Sequence, residues 1–289
     1  MNMFIMRYGA AGAFRTPRRT RKTPFRPGGN DLPKNSRKDP AAARGRRPAL
    51  FRVLIPLLIL AVLAGACAWY LGSRYPADGA AAAEFSRDLD VQERVLENGD
   101  LVFGTGRETC GWIFYPGGKV AEDAYAPLMR YLASRGVFCV ICKMPFRLAV
   151  LDGDAADGIR EAYPGVQRWY LGGHSLGGVM AASYLADHPE GFEGLILLAS
   201  YSTKDLSDSG LGVLSVVGSE DGVLDRDAWE QNRENLPEDA GELVIEGGCH
   251  AGFGMYGPQR GDGAPGVSAG EQIRLTAEAV LAFMEEKGE

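Results

Sequence analysis

A chain of 289 residues with 46% hydrophobic content has room for one or two domains and a sizeable core. Its net charge of −6 is unevenly laid out: residues 1–52 carry 14 Lys and Arg against 2 acids, the remainder 17 against 35. A basic arm suggests a nucleic-acid partner, but the apolar run directly after this one argues against that class.

Residues 1–52, rich in Arg, Pro, Gly and Asn with little to bury, are expected to be a disordered cytoplasmic tail. Val53–Leu71 is then 19 residues without a charge. At 1.5 Å per residue it reaches about 28 Å, enough for a transmembrane signal anchor. The arginines before it predict cytoplasm on that side, and Trp69 and Tyr70 suit the far interface, so the chain beyond residue 71 is expected outside the cytoplasm. Three rivals remain. Ala64-Gly-Ala66 is similar to a signal-peptidase site, Leu63 to Cys67 roughly to a lipoprotein box, and Arg46-Arg47 weakly to a twin-arginine signal. Residues 72–89, Ala-rich from Pro76 to Glu84, read as a linker, and residues 90–289 as the globular domain.

Within that domain apolar runs predict strands near 91–96, 100–104, 111–116, 137–142, 168–172, 194–199, 211–217 and 242–246. Helical patterns fall near 122–135, 152–162, 176–187, 226–235 and 269–286. The alternation implies an α/β fold, a mostly parallel sheet of about eight strands with helices on both faces. Cys139 and Cys142 lie three apart in a strand, so they face opposite sides and read as buried thiols rather than a zinc or redox pair. A disulfide among Cys110, Cys142 and Cys249 is permitted outside the cytoplasm, with no pairing favoured.

Residues 168–178, Arg-Trp-Tyr-Leu-Gly-Gly-His-Ser-Leu-Gly-Gly, hold the most informative motif. A strand pattern runs into G-x-S-x-G and a small-residue helix, the form of a nucleophile elbow. Ser175 must sit on a turn too tight for side chains at Gly173 and Gly177, so that its hydroxyl projects and the next N–H faces an oxyanion. The acid and then the histidine should come later in the chain. Of three histidines, His174 is beside Ser175 in the elbow and cannot turn back on it, and His188 precedes Pro189 at the end of the elbow helix. His250, in Gly-Gly-Cys-His-Ala-Gly-Phe-Gly after a strand pattern, remains as the base. Asp221, just past the strand that ends near Gly218, is the expected acid, with Glu220 and Asp225 as competitors; Asp225 also reads as a helix N-cap. Gly111 to Lys119 reads as a strand entering a Pro-Gly-Gly turn. It supplies one oxyanion donor, Gly118 or alternatively Lys119, and Leu176 supplies the other.

Taken together, Tyr-Pro-Gly-Gly-Lys, Gly-Gly-His-Ser-Leu-Gly-Gly, Gly-Ser-Glu-Asp-Gly-Val and Gly-Gly-Cys-His-Ala-Gly-Phe-Gly-Met-Tyr-Gly resemble the α/β-hydrolase superfamily. The resemblance is to its compact, dienelactone-hydrolase-like bacterial branch, over roughly residues 90 to 287. It implies an α/β-hydrolase fold. Two departures stand out: Cys249 occupies a place where that branch has Asn, and Ser175 stands where dienelactone hydrolases use cysteine. The superfamily often inserts a cap after the strand ending at Ala199, but Ser200–Gly210 is too short for one. The expected site is therefore shallow and open, which favours small acyl esters or accessible ends of larger molecules over long lipid chains, with Met144–Val150 and Phe253–Gly263 as possible walls. The expected chemistry is hydrolysis of a small-molecule ester through an acyl-enzyme, with Ser175, Asp221 and His250 as triad and Gly118 and Leu176 as oxyanion hole. It needs no metal or cofactor. A cell-surface acyltransferase or peptide hydrolase is the alternative, and a non-catalytic binding protein on the same fold a more distant one. The sequence leaves the oligomeric state open.

Overall fold

The computed structural model describes residues 49–287. The expected basic tail, residues 1–52, falls almost wholly outside the described residues. Two units are distinguished, 1–55 and 56–289, and the sheet lies entirely in the second. Helix α1 (Ala49–Gly72) contains the segment Phe51–Tyr70, apolar, exposed and long enough to cross a membrane. By length and composition it is a candidate membrane anchor or signal sequence.

Residues 72–89, expected as a linker, are instead built onto the domain. Tyr75 forms a parallel bridge with Val120, and helix α2 (Gly79–Phe85) is capped by Asp78, whose carboxylate accepts the Ala81 N–H at 3.1 Å. α2 buries Ala82, and Phe85 packs on Tyr131 with ring centroids 6.3 Å apart. An alanine run carries no polar face to mark a periodicity, yet its small side chains let a short helix lie close to its neighbour.

Eight strands make up the sheet: β1 (Glu93–Val95), β2 (Leu101–Phe103), β3 (Cys110–Tyr115), β4 (Val137–Ile141), β5 (Arg168–His174), β6 (Gly194–Leu198), β7 (Gly212–Gly218) and β8 (Gly241–Ile245). Their order is β1-β2-β4-β3-β5-β6-β7-β8. β1 and β2 run antiparallel, and β3 to β8 are parallel. The central strands are buried on both faces, which is why they read as continuous apolar runs. Period-2 alternation sorts them. Trp112 and Phe114 join α3 (Ala126–Ala133) and α7 (Ala269–Glu286) in one core, while Ile113 and Tyr115 join α5 (Leu176–Asp187) in the other. Cys139 and Cys142 fall in these two opposite cores, and all five cysteines are free.

The helix expected over 152–162 is reduced to one turn, α4 (Ile159–Ala162), because Gly158 enters it at φ 73°. α6 (Arg226–Gln231) continues as a 3-10 turn to Asn235. Between Leu198 and Gly212 there is neither helix nor strand, so no cap covers the sheet at that point.

Candidate active site

The candidate residues gather where the parallel strands end, the edge at which open α/β sheets place ligands. β5 stops at His174, Ser175 adopts φ 52°, ψ −123°, and α5 begins at Leu176. Holding an L-residue there costs about 1–3 kcal/mol. The turn is fixed by the Ser175 N–H donating to the Leu198 carbonyl (2.9 Å) and by the Ser200 hydroxyl donating to the Ser175 carbonyl (2.8 Å). Glycine flanks the serine for lack of space: a Cβ on Gly173 or Gly177 would overlap the Tyr115 carbonyl at the end of β3. Among the described residues, non-glycine positive φ occurs only at strand ends on this edge. Lys119 comes after β3, Phe146 and Arg147 after β4, Ser175 after β5, and Ala199 after β6.

Asp221 lies three residues beyond β7. Its Oδ1 accepts the N–H groups of Val223 (2.9 Å) and Leu224 (2.8 Å), and its Oδ2 lies 2.8 Å from His250 Nδ1. Burial disfavours the carboxylate, but the His250 bond and these backbone donors outweigh burial and hold its pKa below the ordinary value. With Nδ1 committed to Asp221, Nε2 is the nitrogen left to His250 for chemistry. The imidazole belongs to a 3-10 turn, His250–Phe253, and packs 4.5 Å from the ring of His174, the residue before Ser175. Among the described residues no hydrogen bond joins Ser175 to His250, a contact that often tightens only as substrate binds. The competitors stand apart: Glu220 is exposed, Asp225 caps α6 through the Ala228 N–H, and His188 is exposed at the end of α5.

Backbone bonding separates the two candidate donors in the loop after β3. Gly117 N–H donates to Tyr125 Oη (3.0 Å) and Lys119 N–H to the Arg147 carbonyl (2.8 Å). Among the described residues the N–H groups of Gly118 and Leu176 have no partner. These two residues are neighbours, since a Cβ on Gly118 would lie 3.3 Å from Leu176 Cδ2.

Three supporting residues escaped the sequence reading. Tyr125 Oη lies 2.8 Å from His174 Nδ1 and so ties the loop after β3 to the elbow. The Gln272 side-chain amide, wholly buried on α7, clamps Cys249: its Oε1 accepts the Cys249 N–H (3.0 Å) and its Nε2 donates to the Cys249 carbonyl (2.8 Å). The chain is thus held by backbone bonds at the position where Cys replaces the expected Asn. Asp262 accepts N–H groups from Gly222, His250, Ala251 and Gly263, which joins the acid loop to the histidine loop. Its only sequence signal was its place between two glycines. Among the described residues no cluster of three His, Cys, Asp or Glu side chains is arranged to hold a metal.

The profile of the Alpha/beta hydrolase family matches residues 111–274, more than half of the chain and all the strands from β4 to β8. The chain belongs to the α/β-hydrolase family. Solved structures with the same fold include TT1662 from Thermus thermophilus (17% identity, TM-score 0.51, covering 68% of this hydrolase and 98% of that chain). A bacterial membrane phospholipase A described as a virulence factor aligns at 15% identity and TM-score 0.50, over 82% of this hydrolase and 99% of its own chain. The α/β hydrolase MGS-MChE2, from the metagenome of lagoon sediments at Mar Chica, Morocco, aligns at 16% identity and TM-score 0.51, over 69% and 100%. At these identities the likeness is one of fold. No curated protein matches the sequence.

Proposed function

We propose that this hydrolase cleaves carboxylic esters through an acyl-enzyme, with Ser175 as nucleophile, His250 as base and Asp221 as the acid that orients it. The observation that carries the reading is the 2.8 Å bond between the buried Asp221 and His250 side chains, at the edge where Ser175 is held on a strained turn. Asp221 fixes the tautomer that leaves Nε2 unprotonated and stabilises the imidazolium formed later. His250 Nε2 takes the Ser175 proton as Oγ attacks the carbonyl carbon. The N–H groups of Gly118 and Leu176 hold the resulting oxyanion, each worth on the order of 3 kcal/mol. Collapse breaks the ester C–O bond as His250 returns the proton to the leaving alkoxide. Water then attacks the acyl-enzyme, giving its proton to His250, and a second collapse restores the Ser175 hydroxyl and releases the acid.

The substrate class is a small ester, or the accessible ester of a larger molecule, because no cap closes over the edge. On the same reading the enzyme is membrane-anchored through residues 53–71 with its catalytic domain outside the cytoplasm, and it has no nucleic-acid partner. Labelling with a fluorophosphonate and turnover of p-nitrophenyl butyrate test the assignment. Ser175→Ala should abolish labelling and lower turnover by about 10³-fold or more; unchanged turnover would refute it. Product analysis with added alcohol or amine acceptors distinguishes hydrolysis from acyl transfer.

A further inference from the structure

We propose that the catalytic edge of this hydrolase faces the bilayer and takes its ester from membrane lipid. The inference rests on the triad reading above and on α1 remaining as an uncleaved span. Its basis is where the chain goes on leaving α1. Three residues past Gly72, Tyr75 bridges Val120: its N–H donates to the Lys119 carbonyl (2.8 Å) and its carbonyl accepts the Ala121 N–H (3.0 Å). Lys119 closes the same junction from the other side, with Nζ 2.9 Å from Ser73 Oγ and 3.2 Å from the centre of the Tyr70 ring. Further along, Asp78 N–H donates to the Met255 carbonyl (2.7 Å), and the Tyr75 and Tyr256 rings lie 5.8 Å apart. The chain emerging from the apolar helix is therefore laced to two segments beside the candidate site: residues 119–121, directly after Gly118, and residues 255–256, just past the His250–Phe253 turn. Three residues reach about 10 Å at full extension. The oxyanion loop cannot stand far from the surface at which the span ends.

The neighbouring loop fits that setting. Lys119 N–H is bound to the Arg147 carbonyl, and the segment around it presents Phe146, Val150 and Leu151 to solvent at 59%, 57% and 54% exposure. Phe146 and Arg147 hold this shape at φ 50° and 60°. Neighbouring Leu148 reaches back toward Gly118, and Ala149–Leu151 packs on α5. Apolar side chains exposed at a rim mark a contact surface, and here Lys119 links that segment to the end of α1 through Arg147 and the Tyr70 ring. The uncapped site also agrees. A soluble long-chain ester would need a covered channel for its tail, whereas a bilayer lipid keeps its tails in hydrocarbon and lifts only its ester, which lies at the headgroup boundary, to the serine. Water adds across the acyl C–O bond, releasing a fatty acid and the deacylated lipid.

The test uses the full chain reconstituted in vesicles of equimolar phosphatidylcholine and phosphatidylglycerol. It reads fatty-acid release, p-nitrophenyl butyrate turnover and fluorophosphonate labelling. Wild type should turn over both substrates. Inserting a flexible Gly-Ser segment of about twenty residues between Gly72 and Ser73 should preserve turnover of the soluble ester and lower fatty-acid release by roughly tenfold or more, because the edge is no longer confined at the surface. The double variant Val150→Ser with Leu151→Ser should lower fatty-acid release in the same direction. Wild type that cleaves the soluble ester but releases no fatty acid overturns this proposal alone, as does an insertion variant equal to wild type on vesicles. Loss of labelling and of both activities in folded wild type overturns the triad reading, and this proposal with it.

Discussion

Asp262 Oδ1 accepts the backbone N–H of His250 at 3.1 Å, and the same oxygen accepts the N–H of Gly222, the residue after Asp221. One carboxylate thus sets the spacing of the two loops whose side chains meet in the Asp221–His250 bond. Asp262→Asn places an amide N–H₂ where two acceptor oxygens are needed. It should cost about 1–3 kcal/mol of stability through unpaired N–H groups. Turnover should fall on the order of 10- to 100-fold by misplacement of the imidazole, with little change in KM. Thermal unfolding and steady-state kinetics on p-nitrophenyl butyrate check both.

Two glycines near the serine should respond in opposite ways to one methyl group. Gly177→Ala drives a Cβ into the carbonyl oxygens of Tyr115 and Pro116, and backbone on both sides leaves it no room. The expected result is little folded protein and no turnover. Gly118→Ala meets side chains alone, nearest the flexible tip of Leu176 at 3.3 Å, and keeps its N–H. It should fold, with turnover within about tenfold of wild type. Circular dichroism and the same ester assay separate the two outcomes.

Acid should weaken the fold in two steps. Burial, and after it the nearby His250, holds the His174 imidazole neutral with a pKa well below 6.5. Unfolded chains take up a proton at His174 near pH 6.5 and the folded protein does not. The stability linked to the neutral ring is therefore whole above that pH and drains away below it, by up to about 1.4 kcal/mol per pH unit. Asp221, whose folded pKa lies below 3.8, adds a second loss that begins only below that value. Urea unfolding at about pH 8 and pH 5 should show the first loss in wild type, and His174→Asn should flatten it.

The buried thiols should be inert. Burial pushes Cys249, next to His250, and Cys110 up to about 11, and it raises Cys139 and Cys142 well above the ordinary value. Iodoacetamide at neutral pH should leave these four unmodified in the native protein and turnover unchanged. Peptide mass analysis reads this directly, and activity loss tracking with Cys249 labelling would instead point to thiol chemistry.

The sheet was legible because its strands are buried on both faces. Runs such as Gly194–Leu198 and Gly212–Gly218 contain no charge. Ser175, Asp221 and His250 stood out as candidates because each follows a strand, in the chain order that elbow chemistry requires. The supports were hidden for a physical reason. Tyr125 and Gln272 lie on helical segments, where a polar residue reads as surface unless its buried partner is known. Asp262 acts across 12 residues on the His250 N–H and across 40 on Gly222, pairings that no local pattern reports. The helix α2 was missed because Gly79-Ala-Ala-Ala-Ala resembles a spacer until Ala82 is seen to be buried.

The Tyr75–Val120 bridge also sets where the enzyme can be trimmed for work in solution. A fragment starting at residue 90 would shed the bridging tyrosine, the Asp78 bond to Met255 and the α2 cover over Tyr131, and would leave the Val120 turn and that face of α3 naked. One starting at Arg74 keeps every one of these attachments while discarding the greasy helix, and should express with the candidate site intact.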